Sequence, residues 1–205
     1  MPSSAEPDRF AWTAVAAVLG VGAVVVHLLQ PGLAARLDWQ PALAWREPWR
    51  EWTAAWVHLS RLHLAANLAG AALVAALGIV ARVPRRTAVA WLVAWPLTQL
   101  GLLAEPELLR YGGLSGVLHA GVAAAALYLV VGARGSRRAI GVAILVGLVG
   151  KVASEGIGGP PLRHPEGWDI AVAPFAHVSG LVAGLAASAL AEAMGGRAPT
   201  IRPDD

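Results

Sequence analysis

The chain of 205 residues has no cysteine, which excludes disulfides and thiol chemistry. It is also short of charge. Asp, Glu, Lys and Arg make up 14% of it, while 57% is hydrophobic, against about 25% charged in an ordinary soluble domain. Phe and Tyr are scarce at two each, yet there are nine Trp. The amino terminus lacks both a basic region and a convincing cleavage site, so the first apolar run is read as a retained span. No basic patch on a soluble face is available for a nucleic-acid partner. What remains is the composition of a polytopic membrane protein.

A bilayer core takes about 20 apolar residues per helix. Measured with that ruler, the sequence offers spans at 10–29, 62–81, 87–104, 112–131, 139–153 and 170–190, the fifth being the shortest. The expected fold is all-α: one membrane domain over 1–205, a bundle of six transmembrane helices in contact with the lipid bilayer. Arginine sets the orientation. Arg82, Arg85 and Arg86 follow the second span, and Arg134, Arg137 and Arg138 follow the fourth, with no acidic residue in either loop. The positive-inside rule puts both loops and both termini in the cytoplasm. The remaining loops mix signs and face outward.

The long connection 30–57 carries Trp39, Trp45, Trp49, Trp52 and Trp56. Indole favours the membrane interface, where its ring is apolar and its N–H stays wet. The last four recur at spacings of four, three and four, so one helical face can hold them. A loop partly immersed in the outer leaflet follows, as a structural device more than a substrate site. The segment 154–169 is dense in Gly and Pro, cannot continue a helix, and is expected to be the most mobile outer loop, with the character of a gate.

The polar residues inside the spans carry the chemistry. His63 and Asn67 lie one turn apart on the second span, after His58. Ser115 opens the fourth between Gly113-Leu114 and Gly116, with His119 one turn further on. His177 flanks a small-residue ridge of Ala176, Gly180 and Gly184 on the last. Each has a plain explanation in packing or interhelical hydrogen bonding, and His27 reads as an interfacial histidine. Lys151 and Glu155, four apart, form a pair that neutralises itself or snorkels, rather than a proton relay. A zinc site from His58, His63, His119 and His177 lacks any carboxylate or cysteine at ligand spacing. The expectation is no metal and no cofactor.

Topology puts His63, Ser115 and His177 in one layer, on the order of 5–12 Å inside the outer boundary. A serine needs a base to attack a carbonyl, and imidazole is the usual one. His177 beside Ser115 makes a dyad; His63, Asn67 and the Ser115 amide are candidate oxyanion donors. No intramembrane Asp is available to orient the histidine, so a full triad is not expected.

At these residues the chain resembles the rhomboid intramembrane serine proteases. The resemblance is carried by His63-Leu-Ala-Ala-Asn67, Gly113-Leu-Ser115-Gly116 and Ala176-His177-x-x-Gly180-x-x-x-Gly184, with Trp49-Arg50 in the first loop. It covers about Trp49 to Leu190 and implies Ser115 and His177 as the catalytic pair, with Gly113 and Leu114 beside the substrate. His119 stands where rhomboids commonly have a tyrosine stacked on the catalytic histidine, so it is expected to stack beneath His177 or to hydrogen-bond to it. That histidine, Lys151-x-x-x-Glu155 and the six spans are similar to the rhombosortase branch. The similarity implies a bacterial inner-membrane enzyme opening to the periplasm. Its substrates would be exported proteins anchored by a carboxy-terminal tail of a Gly-Gly-type motif, one transmembrane helix and a basic end. A broader rhomboid, a non-catalytic helix binder and a transporter are the other readings. Retention of both Ser115 and His177 opposes the binder, and the lack of convincing internal repeats opposes the transporter.

Overall fold

The computed structural model describes residues 9–29, 32–156 and 158–195. The expectations for the two chain ends, and for Gln30 at the start of the first loop, lie outside the described residues. Helix α1 (Arg9–Leu28) leads into a loop with two short helices, α2 (Ala34–Leu37) and α3 (Arg50–Thr53). Then come α4 (Arg61–Ala81), α5 (Arg85–Gly101), α6 (Ser115–Gly132), α7 (Gly135–Ser154) and α8 (Pro174–Met194). Among the described residues, five helices are long and apolar enough to cross a bilayer: Phe10–Leu28, Arg61–Ala81, Arg85–Ala104, Ser115–Gly132 and Pro174–Met194. Length and apolar composition alone do not extend this to the expected six. The stretch 139–153 does form a helix, α7, of ample length, but it carries Arg137, Arg138 and Lys151 within its 20 residues.

Local chemistry sets the helix boundaries. The Ser60 hydroxyl caps α4 by accepting from the His63 amide at 3.0 Å. The same helix ends at Arg82 in the left-handed conformation (φ 52). The expected span 112–131 begins three residues too early, because Gly113 at φ 138 is not helical and Ser115 is the first helical residue. The expected 170–190 is also displaced. Val172 pairs with Arg163 in an isolated bridge, and Pro174 sits in the first turn of α8, where its missing N–H costs nothing.

The bundle is organised around α6, which packs against α4, α5, α7 and α8. Its buried face is nearly all Ala and Gly, including Gly116, Ala120 and Gly121, followed by Ala123 to Ala126. Small side chains let neighbouring backbones approach. The tightest approach is to α8. A Cβ on Gly180 would collide with the Gly116 carbonyl oxygen, and one on Gly184 with that of Ala120; one on Gly116 would stand 2.7 Å from the Ala176 oxygen. At the opposite end of α8, Arg86 of α5 forms a two-pronged ion pair with Glu192, both bonds at 3.0 Å.

The tryptophan loop departs from the expected single helical face. Residues 41–56 are broken into short helical pieces at Pro41 and Pro48. Trp45 is largely exposed and Trp49 half-exposed, whereas Trp39 is fully buried. The rings of Trp52 and Trp56 meet the Trp95 ring of α5 at 5.4 and 5.5 Å, although Trp52 remains 38% exposed. Arg50 holds the loop's shape by donating to the Asp38 carbonyl (2.7 Å) and carboxylate (3.0 Å) and to Glu47 (2.6 Å). Tertiary hydrogen bonding therefore overrides the 3.6-residue period.

The α6–α8 contact yields a paired test. Gly180→Ala should destabilise the bundle by about 1–3 kcal/mol, the usual range for overpacking. Gly147→Ala on α7, where a Cβ meets nothing within 4 Å, should be neutral or slightly stabilising. Unfolding in a detergent titration reads both, and equal midpoints for the two variants would disprove the close-contact account.

Candidate active site

Four helix ends meet in one layer. Ser115 is the first residue of α6, His177 lies in the first turn of α8, His63 lies in the first turn of α4, and Glu155 caps the carboxyl end of α7. Below them a cavity of about 830 Å³ is lined at its polar end by His63, Asn67, Ser115, Lys151, Glu155 and His177. It continues down between α4 and α7 along Leu73, Val74, Val122 and Leu148. A mostly apolar cleft with a few converging polar groups is the usual form of a binding site.

Ser115 and His177, 62 residues apart in sequence, are joined by a hydrogen bond of 2.9 Å between Oγ and Nε2. The Gly116–Gly180 contact puts them within reach, since each follows its residue by one or three positions. The other ring nitrogen, Nδ1, donates to Glu155 Oε2 at 2.7 Å. The sequence offers no intramembrane Asp to orient the histidine; a glutamate at the end of α7 meets it instead. Glu155 does pair with Lys151, at 2.8 Å through Oε1, as its spacing suggests. Its second oxygen faces across the cavity, and a sequence spacing within one helix gives no view of that.

His119 lies under His177 with the rings stacked, centroids 4.2 Å apart and planes at 15°. Of the two expected arrangements, stacking is the one found. The hydrogen bond from His119 Nδ1 goes instead to the Ser115 carbonyl at 2.6 Å, and Lys151 Nζ lies 2.7 Å from Nε2.

Across the cleft, Asn67 donates from Nδ2 to His58 Nε2 at 3.1 Å. His58 is fully buried just before α4, and its Nδ1–H donates to the Trp56 carbonyl at 3.1 Å. Burial, helped by the charge of neighbouring His63, holds its pKa down at about 4. His58 is therefore neutral, with Nε2 accepting from Asn67. That leaves the second Nδ2 proton of Asn67 free to point elsewhere. His63 packs its ring on His58 at 4.7 Å, and its Nε2 stands 2.8 Å from where a Cβ on Gly113 would be. Gly113 is thus required twice, by its positive φ and by His63. No four-ligand cluster arises: among the described residues no group of three or more His, Cys, Asp or Glu has metal-binding geometry.

The turn before Ser115 is clamped by the first loop. Trp39 and Tyr111 exchange backbone hydrogen bonds of 2.7 and 2.9 Å, and the Gly113 amide donates to the Ala54 carbonyl at 3.0 Å. The buried Tyr111 hydroxyl donates to the Gly113 carbonyl at 3.2 Å, and burial pushes its pKa up. Trp49 and Arg50 thus sit away from the cavity and act on it only through this loop. Trp39, Tyr111 and Ala54 carry no sequence signal of site membership beyond their nearness to the motifs. Before α4, the Ser60 hydroxyl donates to Asp169 at 2.7 Å.

No curated protein matches the chain. Residues 45–193, well over half of it, match the family model of the Rhomboid domain. That stretch runs from within the first loop through α8 and holds Ser115, His177, Glu155, Lys151, His119, His63, Asn67 and His58. The chain belongs to the rhomboid family.

Proposed function

We propose that this protein is an intramembrane serine protease in which Ser115 is the nucleophile and His177 the general base, then acid. The observation that carries the reading is the 2.9 Å hydrogen bond between Ser115 Oγ and a buried His177, at the head of an apolar cleft. Ser115 Oγ attacks the scissile carbonyl as its proton passes to His177 Nε2. The oxyanion is received by the Ser115 amide, which as the first of α6 has no intrahelical partner, and by His63 and the free N–H of Asn67. His177 then protonates the leaving amine. Water, deprotonated by the same nitrogen, releases the acyl group and restores the serine.

We read α7 as a sixth span, and Arg82, Arg85, Arg86, Arg134, Arg137 and Arg138 as cytoplasmic. The cleft then opens to the periplasmic side of a bacterial inner membrane, and the loop 154–169 is the gate at its mouth. The substrates are membrane-anchored proteins with a carboxy-terminal transmembrane tail, as in the rhombosortase branch. What supports that narrower reading is His119 with Lys151 and Glu155 gathered at the dyad.

Ser115→Ala and His177→Ala should each abolish cleavage while the protein still inserts. The double variant should be no worse than either, because the two act as a unit. Substantial turnover by Ser115→Ala, followed on a tagged substrate by immunoblot, would end the protease reading.

Asn67→Ala and His63→Ala should each slow cleavage by about 10²–10³, the usual cost of one oxyanion donor. Fluorophosphonate labelling of Ser115 should survive in both. Wild-type rates in both variants would return these side chains to a packing role.

Substrate choice is testable by mapping the new carboxy terminus with mass spectrometry. Glycine favours an unwound backbone by about 1 kcal/mol per residue over alanine, so a Gly-Gly segment at the outer end of a tail helix exposes its peptide bonds. Cleavage is expected at or just outside that segment and should fall sharply when its glycines become leucine. Equal processing of tails lacking the motif would favour a broader rhomboid.

A further inference from the structure

We propose that Glu155 is a positioning residue of this site, fixing the His177 tautomer able to take a proton from Ser115, and that Lys151 holds the carboxylate in place. The inference rests on the serine-protease reading above and adds a third and fourth member to it.

The donors and acceptors admit one consistent proton inventory. A carboxylate only accepts, so the bond at Glu155 Oε2 requires a proton on His177 Nδ1 and leaves Nε2 as the acceptor facing Ser115 Oγ. The Ser115 carbonyl likewise only accepts. His119 must therefore carry its proton on Nδ1, and its Nε2 accepts from Lys151 Nζ at 2.7 Å. The same ammonium donates to Glu155 Oε1 at 2.8 Å. Its 3.2 Å approach to His177 Nδ1 sets donor against donor, so both deliver their protons to the carboxylate. The chain of bonds thus runs from Ser115 Oγ through His177, Glu155, Lys151 and His119 back to the Ser115 carbonyl, and no member has a choice of tautomer.

The position of Glu155 argues against a purely structural pair. It caps the carboxyl end of α7, where the helix dipole disfavours an anion. A self-neutralising surface pair would have left its second oxygen to water. Here the Glu155 side chain is three-quarters buried, and both oxygens are committed. The groups facing His177 are Glu155 and Lys151 from α7 and Ser115 and His119 from α6; Arg163 and His164 line the mouth of the same cavity. Glu155 is the one carboxylate among them. As the proton moves to Nε2, it is the group placed to stabilise the imidazolium.

The test is Glu155→Gln in the full-length protein, in nanodiscs with a tagged tail substrate, beside Glu155→Asp and Ser115→Ala. The glutamine amide can donate to Nδ1 and so invert the tautomer, leaving Nε2–H against the serine. kcat should fall by up to about 10⁴, the cost of the corresponding carboxylate-to-amide change in a serine-protease triad, while KM stays nearly unchanged. Glu155→Asp should recover part of the loss. A Glu155→Gln enzyme with kcat near wild type, or one impaired only in KM, overturns the proposal. An inactive Ser115→Ala alongside would show that the protease reading itself survives; an active one would remove both. A second readout needs no variant. Selectively ¹⁵N-histidine-labelled wild-type protein should show His177 protonated at Nδ1, and protonation at Nε2 in the resting enzyme would overturn the assignment.

Discussion

The contact on which the site depends is between two backbones, where Gly180 of α8 lies against the Gly116 carbonyl of α6. Lipid gives apolar helices little reason to associate, so packing of small residues has to fix their spacing. Ser115 and His177 are carried on the same two turns, and their 2.9 Å separation follows from that of the backbones. Secondary ties keep α8 from sliding. Ser179 donates to the Thr98 carbonyl of α5 at 2.7 Å, and Arg86 grips Glu192 at the far end. A displacement of one ångström at this crossing would break the serine–histidine bond, so the helix interface is part of the site.

Around that crossing the polar groups hold one another in place. Buried donors and acceptors without partners cost free energy, more so away from water. His58 answers Asn67, Trp56 answers His58, and Glu155 answers both His177 and Lys151. The first loop adds a backbone clamp through Trp39, Ala54 and Tyr111, which sets the turn that presents Ser115. Its tryptophans divide the work. Trp45 and Trp49 stay exposed, suited to an interface, while Trp52 and Trp56 anchor the loop on Trp95. The rhomboid match takes in the second part of this loop together with the helices that follow it.

Hydropathy and the count of residues along each span alone determined that the chain is a helical membrane protein, where most helices run, and that His63, Ser115 and His177 share a layer. Those features are local: a span is a run of apolar residues, and a depth is a count along a helix. The tertiary structure decided the rest. The reach of Glu155 to His177 crosses 22 residues and two helices, and depends on how α7 leans toward α8. The choice of stacking for His119, the partnership of Asn67 with His58, and the meeting of Trp52 and Trp56 with Trp95 are of the same kind. Helical periodicity tells which face a residue occupies. It does not tell which neighbour that face meets, because tilt, rotation and closeness of approach come from the packing of all the helices at once.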